Sequence, residues 1–563
     1  MPKMTGSRLI AEVFKGYGVT HVFFVPTILM DALAEADSLG VQKILTHGEK
    51  AAAYMADGYA RAKNAPGVCL AQQIGASNLA AGLRDPFMAH TPLIAITGGA
   101  QAGWRYRHAY QEVEDFSQFD SVTKANLYLD DISRLPDLLR QMFRSATSGA
   151  PGPVHLRIKG SHAQGVEMEA DIQPSVEPQF SAVPPFRPTA EAARVRAAVE
   201  LLAKAQKPII VAGGGVMASQ GQAELVALAE KLQLPVATSL TAKGAILDTH
   251  PLSVGVCGTY SRACANKAVA EADLVFFVGI HAGGQVTTNW RIPAAGTQVI
   301  QLDLDPEQLG RNYPNAVSLH GDAKATLAAM VEAAQKKSPA AAWTGRVQQL
   351  VSGWRANAEK MRQSDAVPMR PERICKELTD ALPANGVVVS DTGHAGMWTG
   401  QMFDITKPGQ RYIRCEGSLG WGLPGAMGVK CALPDRPVVL FTGDGGLYYH
   451  MTELETAARH GINLIVVINN NSSLNQEIPL VNAAYKEKRD TKSGEMWRFS
   501  KTADLAKVAE AFGCAAFRVE KPGQLKELLP KAFAMGKPVV LDCISEEQAL
   551  APTAWQPGAG GGH

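Results

Sequence analysis

The sequence carries almost no net charge: 55 Lys+Arg against 53 Asp+Glu leave +2 over 563 residues. Without a basic stripe, the electrostatic footprint of a nucleic-acid binder is missing, and small molecules become the expected partners. Charged residues are scarce as well, at 19%, while hydrophobic residues make up 46%. Against a usual charged share of about 25%, this balance excludes the disordered and coiled-coil classes. Long hydrophobic runs are also missing. Nowhere do roughly 18 uncharged apolar residues follow one another, so no membrane span is expected. Lys3, Arg8, Glu12 and Lys15 break up the first 18 residues, which leaves no apolar signal-peptide core there. The eight cysteines, at 69, 257, 264, 375, 415, 431, 514 and 543, contain no CxxC pair, and most lie in apolar stretches. That pattern fits buried thiols in a reducing compartment, argues against a zinc site, and predicts a cytoplasmic location.

At roughly 100 to 200 residues per domain, the length predicts three or four domains with sizeable cores. Apolar runs of strand type, Val22-Phe23-Phe24-Val25, Val68-Cys69-Leu70-Ala71 and Pro92-Leu93-Ile94-Ala95-Ile96, are each followed by helical periodicity. The alternation is the signature of parallel α/β sheets. It breaks at about residues 165–189, where Glu167, Glu169, Asp171 and several prolines make a polar connection. A middle unit follows, with a helix over 193–205, the strand Pro208-Ile209-Ile210-Val211-Ala212, and later strands over 274–278 and 299–304. Its Gly213-Gly214-Gly215 run reads either as a dinucleotide turn or as a tight strand-to-helix turn; the full spacing and matching acid of the former are missing. A helical linker over 340–363 leads to a third unit, and the chain ends in a Pro/Gly-rich tail expected to be mobile. The expected bounds are 1–170, 190–335 and 370–545 for the three units and 546–563 for the tail.

The chemistry is concentrated in the third unit. A strand over 437–442 stops at Gly443-Asp444-Gly445-Gly446, and 451–460 reads as a helix. Glycines let a phosphate approach backbone amides at a helix N-terminus, whereas an Asp there repels phosphate unless a divalent cation lies between them. The combination predicts a metal-bridged phosphate. A second strand, over 464–468, runs into Asn469-Asn470-Asn471-Ser472-Ser473, which puts more oxygen ligands at a strand's carboxyl end, where α/β sheets bind ligands. Alone, Gly-Asp-Gly is a common turn and an Asn run a polar loop. Together, with Asn471 lying 27 residues after Asp444, they are specific.

This pair of motifs resembles the thiamin-diphosphate (ThDP) enzymes of the acetolactate synthase and 2-oxoacid decarboxylase superfamily, which includes benzoylformate decarboxylase-like members. Their Gly-Asp-Gly…Asn-Asn motif anchors Mg2+ and the diphosphate. The resemblance implies that Asp444, the Asn471 side chain and the Ser473 backbone carbonyl ligate Mg2+, with Gly443, Gly445, Gly446 and Leu474 around the diphosphate. Thr46-His47-Gly48-Glu49 through Gly58-Tyr59-Ala60-Arg61 is similar to the family's His-Glu…Gly-Tyr-Ala-Arg segment, so Glu49, otherwise an ordinary first-turn acid, takes the place of the catalytic glutamate. In the family this Glu binds N1′ of the aminopyrimidine, whose imino nitrogen takes the proton from thiazolium C2. Cys415-Glu416-Gly417-Ser418-Leu419-Gly420 resembles the family's Gly-x-Leu/Met-Gly segment. It implies that Gly417 touches the cofactor and that Leu419 is the wedge beneath it, an aid to catalysis through orientation. Ser390-Asp391-Thr392-Gly393-His394 resembles the other diphosphate-side loop, with Thr392, Gly393 and His394 as contacts; His394 is otherwise a satisfied loop histidine. Pro26 and Asn78 are further expected contacts.

The match runs over nearly the whole chain as three parallel-sheet α/β domains: pyrimidine-binding, central Rossmann-like and diphosphate-binding. Family members build each active site from the first domain of one subunit and the last of another, which implies a homodimer at minimum and a homotetramer as the expected assembly. Tyr110-Gln111-Glu112-Val113-Glu114 resembles the synthase Phe-Gln-Glu segment and places Gln111 near the reacting carbon. Other segments depart from the pattern. Val25-Pro26-Thr27-Ile28-Leu29-Met30-Asp31 lacks the second glycine of the usual Gly-x-Pro-Gly loop, and Gln72-Gln73 stands where synthases show Ser-Gly. His47 is one position removed from the usual His-Glu neighbour. FAD-binding synthases carry Arg-Phe-Asp-Asp-Arg where this chain has Gly279-Ile280-His281-Ala282-Gly283-Gly284-Gln285-Val286, which argues against FAD; His281 either reaches the active site or closes a strand end.

The leading reading is therefore a ThDP- and Mg2+-dependent lyase or transferase, acetolactate synthase-like, acting on a 2-oxo acid or aldehyde. In such enzymes a C2 ylide adds to the 2-oxo acid, CO2 leaves, and the enamine joins a second carbonyl. The alternatives are a non-ligating 2-oxoacid decarboxylase, a 2-hydroxyacyl lyase, and, from a different class, a non-catalytic ThDP-binding protein. Retention of Glu49, Asp444, Asn471 and Leu419 together argues against the last.

Overall fold

The computed structural model describes residues 3–112, 116–335, 341–486 and 491–558. Val113 and Glu114 of the Gln111 motif, residue 340 of the expected linker helix, and residues 559–563 of the tail lie outside these.

Three six-stranded parallel sheets with flanking helices make three α/β domains. The first contains β1 (His21–Phe24), β2 (Gln42–Leu45), β3 (Gly67–Ala71), β4 (Leu93–Gly99), β5 (Asn126–Leu129) and β6 (Pro153–Lys159), ordered β2-β1-β3-β4-β6-β5. The central sheet contains β7 (Pro208–Ala212), β8 (Val236–Thr238), β9 (Ser253–Val256), β10 (Leu274–Val278), β11 (Gln298–Asp303) and β12 (Val317–His320), ordered β9-β8-β7-β10-β11-β12. The last contains β13 (Val387–Ser390), β14 (Arg411–Arg414), β15 (Val438–Gly443), β16 (Ile465–Asn470), β17 (Ala515–Val519) and β18 (Val539–Ile544), ordered β14-β13-β15-β16-β18-β17. Strands β3 and β10 are buried along their whole length, which is why they read as unbroken apolar runs. The outer two sheets share one strand order, and the central one has the doubly wound dinucleotide-fold order. In each, the order reverses beside the first strand, and the crevice at the carboxyl ends there is the natural ligand position.

The cores of the first and last domains are continuous. Helix Glu49–Lys63 and helix Gly422–Ala432 meet there with their backbones touching: a Cβ at Gly58 would collide with the Gly425 carbonyl, and one at Gly428 with the Met55 carbonyl. The central domain is tied to the last by buried ion pairs, in which Arg262 bridges Asp248 (2.8 Å) and Asp404 (2.6 Å).

Several elements depart from the sequence-based bounds. Strand β16 extends to Asn470 because Asn469 and Asn470 pair with Cys543 and Ile544 of β18, and Asn470 Nδ2 donates to Asp542. The helix expected over 451–460 is Glu453–Arg459, and a short helix, Asp444–Tyr448, precedes it. Glu169–Ala170, inside the expected polar connection, pairs antiparallel with Met4–Thr5. The Gly213-Gly214-Gly215 run is a tight turn in which Gly213 and Gly215 press on Gly279. All eight cysteines are free, and seven are buried. Among the described residues no helix is long and apolar enough to cross a membrane.

Candidate active site

The expected site residues gather in two groups, both at carboxyl ends of strands. In the last domain, β15 ends at Gly443 and Asp444 opens the short helix Asp444–Tyr448. Asp444 is 2% exposed, and burial pushes its carboxyl up to about 7. Its Oδ2 accepts from the Ser473 amide at 2.9 Å, and the Ser473 hydroxyl donates to Asn471 Oδ1 at 2.9 Å. Asp444, Asn471 and Ser473 thus meet although two strands carry them. Leu474 packs onto Gly445, where a Cβ would have no room beside it. Nearby in β16, the Asn469 side-chain oxygen is buried without a hydrogen-bond partner.

The Thr392 loop joins this group. Gly393, with φ of +66°, turns the chain into helix His394–Met402. His394 Nδ1 lies 2.7 Å from Asn475 Oδ1, and burial lowers the imidazole pKa. Asp391 binds the loop to β15, accepting from the Thr392 amide (2.8 Å) and the Thr442 hydroxyl (3.1 Å). Gly417 is exposed and Leu419 half-buried, on the segment between β14 and helix Gly422–Ala432.

The donor set fits a hard divalent cation bridging a phosphate. Asp444 is a desolvated acid that a cation would stabilise as carboxylate, and amide and carbonyl oxygens stand beside it. Open space lies over the Cα of both Gly443 and Gly417, leaving room at the strand end. Among the described residues no group of three or more His, Cys, Asp or Glu gathers that could hold a metal ion.

The second group lies on the first domain. Glu49 opens helix Glu49–Lys63 and is half-buried; Asn78 Nδ2 donates to its Oε2 at 2.8 Å. Gly75 gives the carboxylate its room, since a Cβ there would strike Oε1. Pro26 is exposed, and its carbonyl accepts from Gln72 Nε2 at 3.4 Å. Gln111 sits in a turn with φ of +61°, its side-chain oxygen buried and unpartnered. His47 turns away from Glu49 to the last domain: its amide donates to Glu453 (3.0 Å) and its Nε2 lies 2.8 Å from Glu455 Oε2. Glu49 is hydrogen-bonded within its own domain rather than to the Asp444 group.

Sequence reasoning singles out neither Gly75 nor Asp85, and it passes over Asp391 beside Thr392. Two left only faint signals: Gly75 is a glycine ahead of Asn78, and Asp85 is an acid on the otherwise apolar buried face of helix Ala76–Met88. A separate cavity of about 500 Å³ opens between the three domains, lined by the Gly214 and Gly279 turns, Arg61, Arg414 and Glu416. His281 lines it too, packed edge-on against His90 at 5.0 Å, so it closes a strand end rather than entering either group.

Three family descriptions match the chain: the N-terminal TPP binding domain of thiamine pyrophosphate enzymes over residues 4–119, their central domain over 195–330, and their C-terminal TPP binding domain over 391–543. Among similar proteins, a probable acetolactate synthase large subunit from Methanocaldococcus jannaschii is 31% identical over 98% of this chain and 93% of the relative. An acetolactate synthase from Arthrospira platensis is 30% identical over 96% of this chain and 94% of its own length. The acetolactate synthase isozyme 2 large subunit from Escherichia coli is 30% identical over 97% and 96%.

Proposed function

Because the chain belongs to the thiamine pyrophosphate enzymes of the acetolactate synthase-like superfamily, we propose that it is a ThDP- and Mg2+-dependent carboligase. It takes CO2 from a 2-oxo acid and joins the remaining acyl unit to a second carbonyl, a reading supported by relatives named acetolactate synthase large subunit. The observation that carries this reading is the buried Asp444 carboxyl held against Ser473 and Asn471 at the strand reversal of the last sheet. Asp444, Asn471 and the Ser473 carbonyl would hold Mg2+, and Gly443, Gly445, Gly446, Thr392, Gly393, His394 and Leu474 would line the diphosphate. Thiamine diphosphate, when bound, supplies the carbon nucleophile and the electron sink. Glu49, oriented by Asn78, would hold and move a proton at the pyrimidine ring nitrogen. Leu419 would pack beneath the cofactor and orient it for reaction. Asn78 and Pro26 would contact the cofactor, and Gln111 and the loop around Pro26 would face the substrate side.

A second copy of the chain completes the site in this reading. Met30, Ile74, Trp104 and Tyr110 are 47%, 51%, 58% and 82% exposed on the segments after β1, β3 and β4, Met30 at the start of a helix and Trp104 in a helical turn. A face of that kind suits a protein partner, and covering it would shield Glu49 from water. Homodimer assembly at minimum, and a homotetramer, follow the family. Eight free cysteines suit a reducing, cytoplasmic setting. The Gly279 to Val286 segment carries neither arginine nor acid, and turnover without FAD is proposed on that sequence feature.

The test is turnover by purified protein with ThDP and Mg2+, without FAD, on pyruvate, benzoylformate, oxalyl-CoA and simple aldehydes, reading CO2 and carbon products. A ligated product such as acetolactate is expected, with no gain from added FAD. Aldehyde as the sole carbon product would make the protein a decarboxylase or lyase instead. Silence on all of them with ThDP bound would overturn the proposed substrate class.

A further inference from the structure

We propose that Asp85 and Asp391 are positioning residues for the reaction, two carboxylates that clamp the backbone on either side of Leu419. The inference rests on the reading of Leu419 as the side chain beneath the cofactor. Asp85 reaches across from the first domain. Its carboxylate accepts from the amides of Glu416 (3.0 Å), Gly417 (3.0 Å) and Ser418 (3.0 Å). Asp391 approaches from the last domain and accepts from the amides of Gly420 and Gly422, both at 3.2 Å. Five amides in the seven residues 416–422 are thereby held by two side chains, with Leu419 between the two sets.

Both acids are 1% exposed, and burying a carboxylate is costly unless its oxygens are well bonded. Here the bonds go to one short segment. Although burial opposes it, the Arg61 guanidinium and the three amides hold the Asp85 carboxyl below its ordinary range. Arg61 NH2 donates to Asp85 at 2.8 Å and to Asp57 at 2.7 Å, and its NH1 donates to the Arg414 carbonyl at 2.6 Å. Asp57 in turn accepts from the Trp421 indole at 2.8 Å, a third anchor on the same segment. Glycine at 422 and 446 leaves room for Asp391, since a Cβ at either would stand 2.7 Å from its Oδ2. Through the Thr392 amide and the Thr442 hydroxyl, Asp391 joins the Leu419 segment to the loop and the strand that frame Asp444. A scaffold role alone would be met by apolar packing; amide-by-amide bonding instead specifies the height and direction of one side chain.

The experiment is a double-mutant cycle in the full-length holoenzyme with Asp85→Asn, Leu419→Ala and the pair, measuring kcat, KM and ThDP affinity. Asn matches the size of Asp but turns an NH2 toward amide donors. Asp85→Asn is expected to lower kcat roughly 10- to 100-fold, as a misplacement near 1 Å does, while KM and ThDP affinity stay within about threefold. In the Leu419→Ala background the same change should cost less than about twofold further, because groups that act as a unit are not additive. Full turnover by Leu419→Ala sinks the reading of Leu419 and the clamp with it. An impaired Leu419→Ala beside an unimpaired or additive Asp85→Asn, or a fall explained by lost ThDP, sinks the clamp alone. Hydrogen exchange on the wild-type apoprotein needs no variant: residues 416–422 should be protected before ThDP is added. Rapid exchange there that slows only with ThDP would refute the clamp.

Discussion

Glu49 and Asp444 do opposite things with a carboxyl group. Glu49 stands at a helix start, half-exposed, with Asn78 on one oxygen and the bare Gly75 under the other. Asp444 is buried where water cannot solvate its charge, and the Ser473 amide is a partial substitute. Glu49→Gln should therefore keep ThDP and lose about 10²- to 10⁴-fold in turnover, the usual share of a proton-transfer group; undiminished kcat would remove Glu49 from the chemistry. Asp444→Ala should weaken Mg2+ and ThDP retention by at least about tenfold, measured by cofactor titration, and an unchanged affinity would show the metal assignment to be wrong. Both acids were legible in the sequence because each sits in a motif of fixed spacing. Gly75, Asp85 and Asp391 were not, since the contacts that give them their roles are distant in the chain: Gly75 leaves room for Glu49, Asp85 holds the amides of Glu416 to Ser418, and Asp391 holds those of Gly420 and Gly422.

At the scale of elements, periodicity marks a helix but not its partner. Helices Glu49–Lys63 and Gly422–Ala432 carry small residues at their crossing, and only the packed structure shows that Gly58 meets Gly425 and Gly428 meets Met55. Gly428→Ala should force these backbones apart and cost about 1–3 kcal/mol or more. Thermal melting of the apoprotein checks this; an unchanged Tm would mean that the crossing can relax. The end of β16 was misread for a related reason: three asparagines in a row look like a loop until the backbones of the first two pair in parallel with β18. Asn471, a metal ligand in the proposed reading, is the first of them beyond the strand.

Across the whole molecule, the central domain is locked to the last by charge. Arg262 donates to Asp248, Asp404 and the carbonyls of Gln401 and Phe403, with Lys243 on Asp248 and Arg362 on Asp404. Burial pulls the Lys243 amine down to about 8, a sign of how dry this joint is. Arg262→Met should leave buried carboxylates under-compensated and cost about 3–5 kcal/mol, seen as an earlier melting transition; a Tm equal to wild type would contradict it. By itself the sequence determined the α/β class, the runs that become strands, and the Asp444, Asn471 and Glu49 motifs, because apolar patterning and glycine-framed ligands act over short stretches of chain. Only the tertiary structure decided which helices touch, which buried acids hold the Leu419 segment, and how three sheets lock together. Those contacts are made by residues far apart in the chain, and their free energy comes from desolvation and hydrogen bonds that exist only once the domains have closed on one another.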